Sequence, residues 1–164
     1  MVQKISNRGR ARHATAGRLE VRKSGVHGRG VYASAPIRKG ARIIEYTGQR
    51  VAWKIAKDWP AHDPDDPHHT FFFSLENGDV INASVDGNES RWINHACDPN
   101  CETSETDDRI FVHALRSIRV GEELFYDYKL IPAERRTKKL ERQFGCGCGS
   151  TKCRGTMLAP KDEP

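Results

Sequence analysis

No run of apolar residues in this 164-residue chain approaches the ~20 needed to cross a bilayer as a helix. The basic residues near the start are not followed by an apolar stretch, so the N-terminus does not read as a secretory signal. Cysteine is scarce and odd in number, five in all, which argues against a closed disulfide framework. These absences point to a reducing, intracellular compartment, where cysteines more often serve metals or catalysis. There is no internal repeat and no recognisable nucleic-acid-binding motif.

What is present suits one domain with a real core. The formal net charge is +5, unevenly spread. Lys4, Arg8, Arg10, Arg12, Arg18, Arg22 and Lys23 face only Glu20 in the first 23 residues, and residues 134–142 are basic again. Basic ends of this kind offer weak nucleic-acid contact or form a solvated tail. The middle is acidic at Asp58, Asp63, Asp65 and Asp66, then at Glu102, Glu105, Asp107 and Asp108. An acidic middle suits a cationic peptide partner.

Short alternating or β-branched runs recur at close spacing, which predicts a mostly β domain of several small sheets. Residues 1–16 read as a flexible basic leader. Strands are expected at residues 19–22, 31–33, 41–47, 70–75, 79–83, 109–114 and 122–128. Asn77-Gly78 is a hairpin turn. Residues 51–59 are expected as a short helix ended by Pro60, and residues 130–141 as a linker or short helix. Residues 60–69 read as a loop whose histidines, His62, His68 and His69, are surface residues and not metal ligands. His27-Gly28-Arg29-Gly30 is a turn where the backbone can take positive φ or approach a ligand closely.

The chemistry is concentrated in Arg91-Trp92-Ile93-Asn94-His95-Ala96-Cys97, followed by an Asp98-Pro99-Asn100 turn. Near the end, Cys146, Cys148 and Cys153 sit in a glycine-rich run that offers no core to bury them. A tetrahedral zinc wants four ligands, so three thiols are one short, and the remaining candidates are Cys97 and Cys101. Such a metal would order a tail that hydrophobic burial could not.

Four motifs stand in order: His27-Gly28-Arg29-Gly30, Glu45-Tyr46-Thr47-Gly48, Arg91-Trp92-Ile93-Asn94-His95-x-Cys97, and Gly121-Glu122-Glu123-Leu124-Phe125-Tyr126-Asp127-Tyr128. With the Cys-x-Cys-x4-Cys tail they resemble a SET domain (residues 17–129) followed by a post-SET zinc motif (residues 142–158) and a tail (residues 159–164). The flavour is trithorax-like, with Tyr-Asp-Tyr-Lys at residues 126–129. The resemblance implies several small curved sheets with a pseudoknot, in which the Tyr126–Tyr128 segment packs against Asn94-His95. It implies a protein-lysine N-methyltransferase (EC 2.1.1 class) using S-adenosylmethionine and Zn2+, a chromatin regulator acting in the nucleus or on a bacterial cytoplasmic target. The substrate would be a basic protein, a histone or a bacterial histone-like protein.

Carried over residue by residue, His27, Gly28, Arg29, Gly30, Tyr32, Phe71, Arg91, Asn94, His95, Tyr128 and Gly147 would line the cofactor. Cys97, Cys146, Cys148 and Cys153 would hold the zinc, leaving Cys101 over. Tyr128 would orient the amine, Tyr46 would wall the lysine channel, and Tyr126 would restrict the product to mono- or di-methylation. Ala96 departs from the serine usual after Asn-His, and Phe71 from a tyrosine. No cysteine-rich pre-SET cluster and no chromatin-reading module accompany the motifs. Two other readings are a catalytically silent scaffold and a zinc-stabilised nucleic-acid or chromatin-binding module.

Overall fold

The computed structural model describes residues 2–3, 18–59 and 70–161. The loop expected at residues 60–69, with its three histidines, and residues 4–16 of the basic leader lie outside the described residues.

The first element, β1 (Val2–Gln3), falls in what the sequence presents as a flexible leader. Strands β2 (Leu19–Lys23) and β3 (Arg29–Ala33) form a hairpin around the glycine-rich turn. Gly28 takes φ +46°, and the Ser24 N–H donates to Gly28 O at 3.0 Å to close the turn. Strand β4 (Arg42–Tyr46) follows a reversal at Gly40, φ +77°. Strand β5 (Gln49–Ala52) leads into α1 (Trp53–Ala56), a single turn. The helix expected over residues 51–59 is thus shortened. Val51 and Ala52 instead join a ladder opposite Val80 and Asp79, where a β-branched side chain packs better.

The three-phenylalanine run supplies β6 (Phe72–Ser74), and the Asn77-Gly78 turn returns the chain as β7 (Asp79–Asn82). Gly78 there has φ +87°. A 3-10 turn at Glu89–Trp92 is capped by Asn88, whose Oδ1 accepts the Ser90 N–H at 3.1 Å. Next come β8 (Asn94–His95), then β9 (Cys101–Thr106) and β10 (Arg109–Ala114). Both turn residues between β9 and β10, Asp107 and Asp108, have positive φ, as a tight hairpin demands. Strand β11 (Phe125–Tyr126) is shorter than the run over 122–128 suggests. Glu122 is drawn off to accept the Arg119 N–H, and Asp127 turns to a partner outside the sheet. The described chain ends with β12 (Leu130–Ile131) and α2 (Lys138–Gln143), the latter capped by Thr137.

Among the described residues the strands form five small sheets, ordered β4-β10-β9, β5-β7-β6, β2-β3, β11-β8 and β1-β12. This is the expected mostly β architecture. Their inner faces share one core, in which Val31, Ile43, Phe73, Ile110, Val112, Ile118 and Leu124 are fully buried. Leu130, Leu140, Phe144 and Leu158 form a smaller satellite cluster under the C-terminal segment.

The β11-β8 pair positions everything that follows. It is parallel, with Phe125 opposite Asn94 and Tyr126 opposite His95. The Asn100 side chain clamps it, donating from Nδ2 to Glu123 O at 2.8 Å and accepting the Phe125 N–H at 2.9 Å. Phe73 packs beneath, its ring 5.2 Å from Tyr46 and 6.2 Å from Tyr126. Phe73→Ala should cost about 3–5 kcal/mol, because a fully buried ring is replaced by a cavity that rigid strands cannot close. Equilibrium urea unfolding measures this directly.

Candidate active site and cysteine centre

Asn94 stands where the β2-β3 turn meets the β8-β11 pair. Its Nδ2 donates to Arg29 O at 2.8 Å, to Glu123 Oε1 at 3.0 Å and to His27 O at 3.2 Å. The other Glu123 oxygen accepts the Tyr32 hydroxyl at 2.8 Å. Burial first, and then the Glu123 carboxylate, raise the Tyr32 phenol above its ordinary value. A Cβ at position 30 would meet the Glu123 carboxylate, which would have to move from its bonds to Asn94 and Tyr32. Thus His27, Arg29, Gly30, Tyr32 and Asn94 are brought together around one acid. Glu123 is part of a quoted motif, but nothing in the sequence singles it out for this place.

The amide protons of Asn94 are committed, so what its side chain can still offer a ligand is oxygen. Open space stands where a Cβ would be at Gly25 and Gly28. Arg29 and Arg91 each place a guanidinium 4.9 Å from the centre of the Trp92 ring. Arg91 Nη1 donates to Ala83 O at 2.9 Å, and its Nε is buried without a partner among the described residues. Phe71 is buried, edge-on to Trp92 at 5.2 Å.

A second cluster is aromatic. Tyr46, Phe73, Tyr126, Tyr128 and His95 form a chain of rings, with Tyr126 5.0 Å from Tyr128 and Tyr128 5.3 Å from His95. The Tyr46 hydroxyl donates to Phe71 O at 2.9 Å. Tyr128 keeps part of its surface exposed, but its hydroxyl end is enclosed and donates to Ile93 O at 2.7 Å. Burial holds both phenols well above their ordinary range, and the Glu123 charge adds to this at Tyr128. Both are therefore protonated at neutral pH. Tyr128 can offer oxygen lone pairs but cannot act as a base.

The third cluster is sulfur. The Sγ atoms of Cys97, Cys146, Cys148 and Cys153 all lie within 4.8 Å of one another, and Cys97 to Cys146 is 3.7 Å. Four thiolates at about 2.3 Å from a tetrahedral zinc would stand roughly 3.8 Å apart, so the arrangement fits that ion. Backbone N–H groups aim at the sulfurs, an arrangement that favours thiolates, while burial raises the Cys97 and Cys146 thiols above their ordinary range. Arg154 N–H reaches Cys97, Gly155 N–H reaches Cys153, both at 3.3 Å, and Cys148 N–H reaches Cys146 at 3.4 Å. Burial opposes ionisation at Cys148, but bonds from the Cys97 and Ser150 backbones, with the Cys146 and Cys153 side chains, bring that thiol down to about 7. Gly147 lies in this loop with open space at its Cβ position. Cys101 is elsewhere, fully buried on β9, its thiol pushed up by burial to about 12.

His95 joins the sulfur and aromatic clusters. Its Nδ1 accepts the Tyr128 N–H at 3.1 Å, which puts the ring proton on Nε2, 3.4 Å from Cys97 Sγ. Burial lowers its pKa to about 4, overriding the Asp127 carboxylate 3.5 Å away, so the ring is neutral and the Asp127 contact is not an ion pair. Asp127 is held instead by Arg154, through a fork of two bonds at 2.7 and 2.8 Å. Arg154 also lends its N–H to Cys97. Neither Arg154 nor Asp127 is assigned a role by the sequence. A lone arginine one residue past the last cysteine is the only signal there.

The sequence model of the SET domain matches residues 28–129. The chain is 35% identical over 146 residues to histone-lysine N-methyltransferase ATX2 of Arabidopsis thaliana, covering 85% of this chain and 13% of that protein. It is 35% identical over 136 residues to histone-lysine N-methyltransferase trithorax of Drosophila melanogaster, covering 80% of this chain and 4% of that protein. It is 34% identical over 145 residues to human histone-lysine N-methyltransferase SETD1B, covering 85% and 7%. The chain therefore spans a small fraction of these relatives. Among solved structures it is similar to ctPRC2 in an autoinhibited conformation bound to S-adenosylmethionine, with a TM-score of 0.61 and 31% identity over 67% of this chain and 15% of that one.

Two measurements test the geometry above. With a metal chelator present, a thiol reagent should titrate four cysteines quickly and Cys101 only on unfolding, since Cys101 is 0% exposed. Asp127→Asn should lower the melting temperature in differential scanning calorimetry by several degrees. It breaks a charge-assisted fork worth about 1.5–3 kcal/mol at most, reduced by the partial exposure of both groups.

Proposed function

This chain belongs to the SET-domain family, and on that footing we propose that it is an S-adenosylmethionine-dependent histone-lysine N-methyltransferase of trithorax type. The observation that carries the reading is the Tyr128 hydroxyl. It is fixed by Ile93 O inside a cluster of buried rings, with its phenol kept protonated.

S-adenosylmethionine, when bound, supplies a methyl group on a sulfonium. The protein's task is then alignment and a neutral amine acceptor. A free lysine has a pKa near ~10.4, and the dry rings of Tyr46, Phe73, Tyr126 and Tyr128 favour its neutral form by excluding water. Tyr128 Oη would orient that amine through its lone pairs, and Tyr46 would wall the channel. The carbonyls of His27 and Arg29 and the Asn94 oxygen suit a cationic amino group, and the unpartnered Arg91 Nε suits an acceptor. These fit the zwitterionic end of the cofactor. Gly28 and Gly147 would allow close approach, Gly30 leaves room for the Glu123 carboxylate that holds Asn94, and Tyr32, Phe71 and His95 would shape the site from one layer behind. Cys97, Cys146, Cys148 and Cys153 would hold a structural zinc in a post-SET segment.

The relatives named above, from a plant, a fly and a human, favour a histone over a bacterial histone-like protein as substrate, and chromatin as the place of work. The basic stretches at residues 4–12 and 134–142 suit a weak contact with DNA there. The Tyr126 hydroxyl takes up space next to Tyr128, which supports mono- or di-methylation.

Methyl transfer from labelled S-adenosylmethionine to core histones is the test. Tyr128→Phe should cut kcat/KM on the order of 100-fold with unchanged circular dichroism, by analogy with loss of one positioned hydroxyl. Equal label from wild type and mutant would refute the role. Tyr126→Phe should shift the products toward tri-methylation by mass spectrometry. The rate should rise about tenfold per pH unit from 7 to 9, as the acceptor amine deprotonates, and the Tyr128 phenol should contribute no break in that range.

A further inference from the structure

Glu123 stands between the β2-β3 turn and the β8-β11 pair, and its backbone is held from both sides. It bridges antiparallel to Tyr32, and the Leu124 N–H beside it donates to Val31 O at 2.7 Å. Its own carbonyl accepts Asn100 Nδ2 at 2.8 Å. The side chain is held as well, with Oε1 accepting Asn94 Nδ2 at 3.0 Å and Oε2 accepting the Tyr32 hydroxyl at 2.8 Å. A carboxylate fixed at its backbone and at both oxygens can impose a set geometry on its neighbours.

Both side-chain partners are neutral donors, so they leave the negative charge of Glu123 uncompensated. Among the described residues no lysine, arginine or histidine comes within ion-pair distance of it. Its field reaches two phenols. At Tyr32 and at Tyr128 burial is the larger cause of a raised pKa, and the Glu123 charge adds to it. A half-buried carboxylate with neutral partners is completed by a cation. Around Asn94, meanwhile, the oxygens of His27, Arg29 and Glu123 all face Nδ2. Three acceptors admit only the amide nitrogen there, which leaves Asn94 Oδ1 as the atom a ligand can meet.

We propose that Glu123 is a positioning residue of the cofactor site, holding Asn94 with its oxygen presented and acting as counter-charge to the cofactor's α-ammonium group. The inference rests on the methyltransferase reading above. S-adenosylmethionine and the S-adenosylhomocysteine left after transfer carry the same ammonium, so Glu123 serves both. It acts through Asn94 and through its charge, and so contributes to binding and not to the chemical step. Charge and geometry can be separated by one substitution. In Glu123→Gln the amide oxygen still accepts from Asn94. The amide nitrogen donates to the Tyr32 hydroxyl, which keeps Lys23 O as its own acceptor at 3.2 Å. The bonds persist and the charge is gone.

The test is calorimetric binding to the full chain, which needs no methyl transfer. Two ligands are compared on wild type and Glu123→Gln: S-adenosylhomocysteine, and its analogue lacking the α-amino group. The variant should bind S-adenosylhomocysteine more weakly by on the order of tenfold, as one nearby charge is removed, and the analogue with little change. Equal losses for the two ligands overturn the proposal, because a general disturbance of the pocket does not sense the ammonium. Unchanged binding of both overturns it too. Either result, with wild type binding S-adenosylhomocysteine, leaves the methyltransferase reading standing. No binding by wild type overturns both readings together. With core histones as acceptor, Glu123→Gln should raise the KM for S-adenosylmethionine at a kcat near that of wild type. A fall in kcat at unchanged KM overturns the positioning role.

Discussion

Two residue pairs, Phe125 opposite Asn94 and Tyr126 opposite His95, hold the working part of this molecule in place. A two-residue parallel ladder is weak by itself, since parallel pairing is slightly less stable per residue and needs surrounding support. Here the support is polar. Asn100 holds the Glu123–Phe125 backbone on the β11 side, and Asn94, on β8, ties the crossing to the β2-β3 turn through Glu123 and two carbonyls. Buried polar groups stabilise only when satisfied, and a network completed this way permits one register. Shifting β11 by one residue would exchange the faces of Phe125 and Tyr126 and leave Asn100 without its partners.

The C-terminal segment depends on the same crossing by a different route. Among the described residues its own apolar cluster holds Leu130, Leu140, Phe144 and Leu158, with Tyr128 and Met157 packed alongside. That is little burial to offset the ordering of a glycine-rich loop. The four-sulfur cluster and the Arg154–Asp127 fork tie the segment instead to β8-β11: Cys97 lies two residues past His95, and Asp127 sits between Tyr126 and Tyr128. His95 passes the constraint inward, with one ring nitrogen toward Cys97 and the other on the Tyr128 backbone. The placement of the Tyr128 phenol is thus linked to the order of the cysteine loop through one neutral imidazole.

Much of this was legible in the sequence, and the reasons differ by element. β3, β6, β7 and β10 follow from apolar alternation closed by glycine or Asn-Gly turns, which is local information. Strand β9, Cys-Glu-Thr-Ser-Glu-Thr, carries almost no apolar signal, and its pairing is imposed by β10 from across the hairpin. The helix expected over residues 51–59 lost its first residues to a ladder with β7 that no local window can see. The spacing of three cysteines pointed to a missing fourth ligand, and by itself it left Cys97 and Cys101 open. Burial separates them, one at the sulfur cluster and one inside β9. Glu123, Asn100, Asp127 and Arg154 were not legible as site residues, because their roles are partnerships across 23 to 29 positions or with the tail.

The segment from residue 125 to residue 131 carries three duties in seven residues. It pairs with β8, it presents Tyr126 and Tyr128, and it offers an edge to β1. Each duty is fixed by a separate force: the parallel ladder with its Asn100 clamp, ring packing against Phe73 and His95, and the backbone partners of Leu130. Asp127 and Lys129 mark the boundaries between them. Lys129 takes φ +46°, and its N–H returns to Asp127 at 3.2 Å, so the chain turns sharply between the crossing and the edge strand. That turn lets β12 take β1 and the Leu158 segment as partners without disturbing β11. Only three residues, Asp127 to Lys129, separate the crossing from the edge strand, and the sharp turn within them lets each be fixed by its own partners.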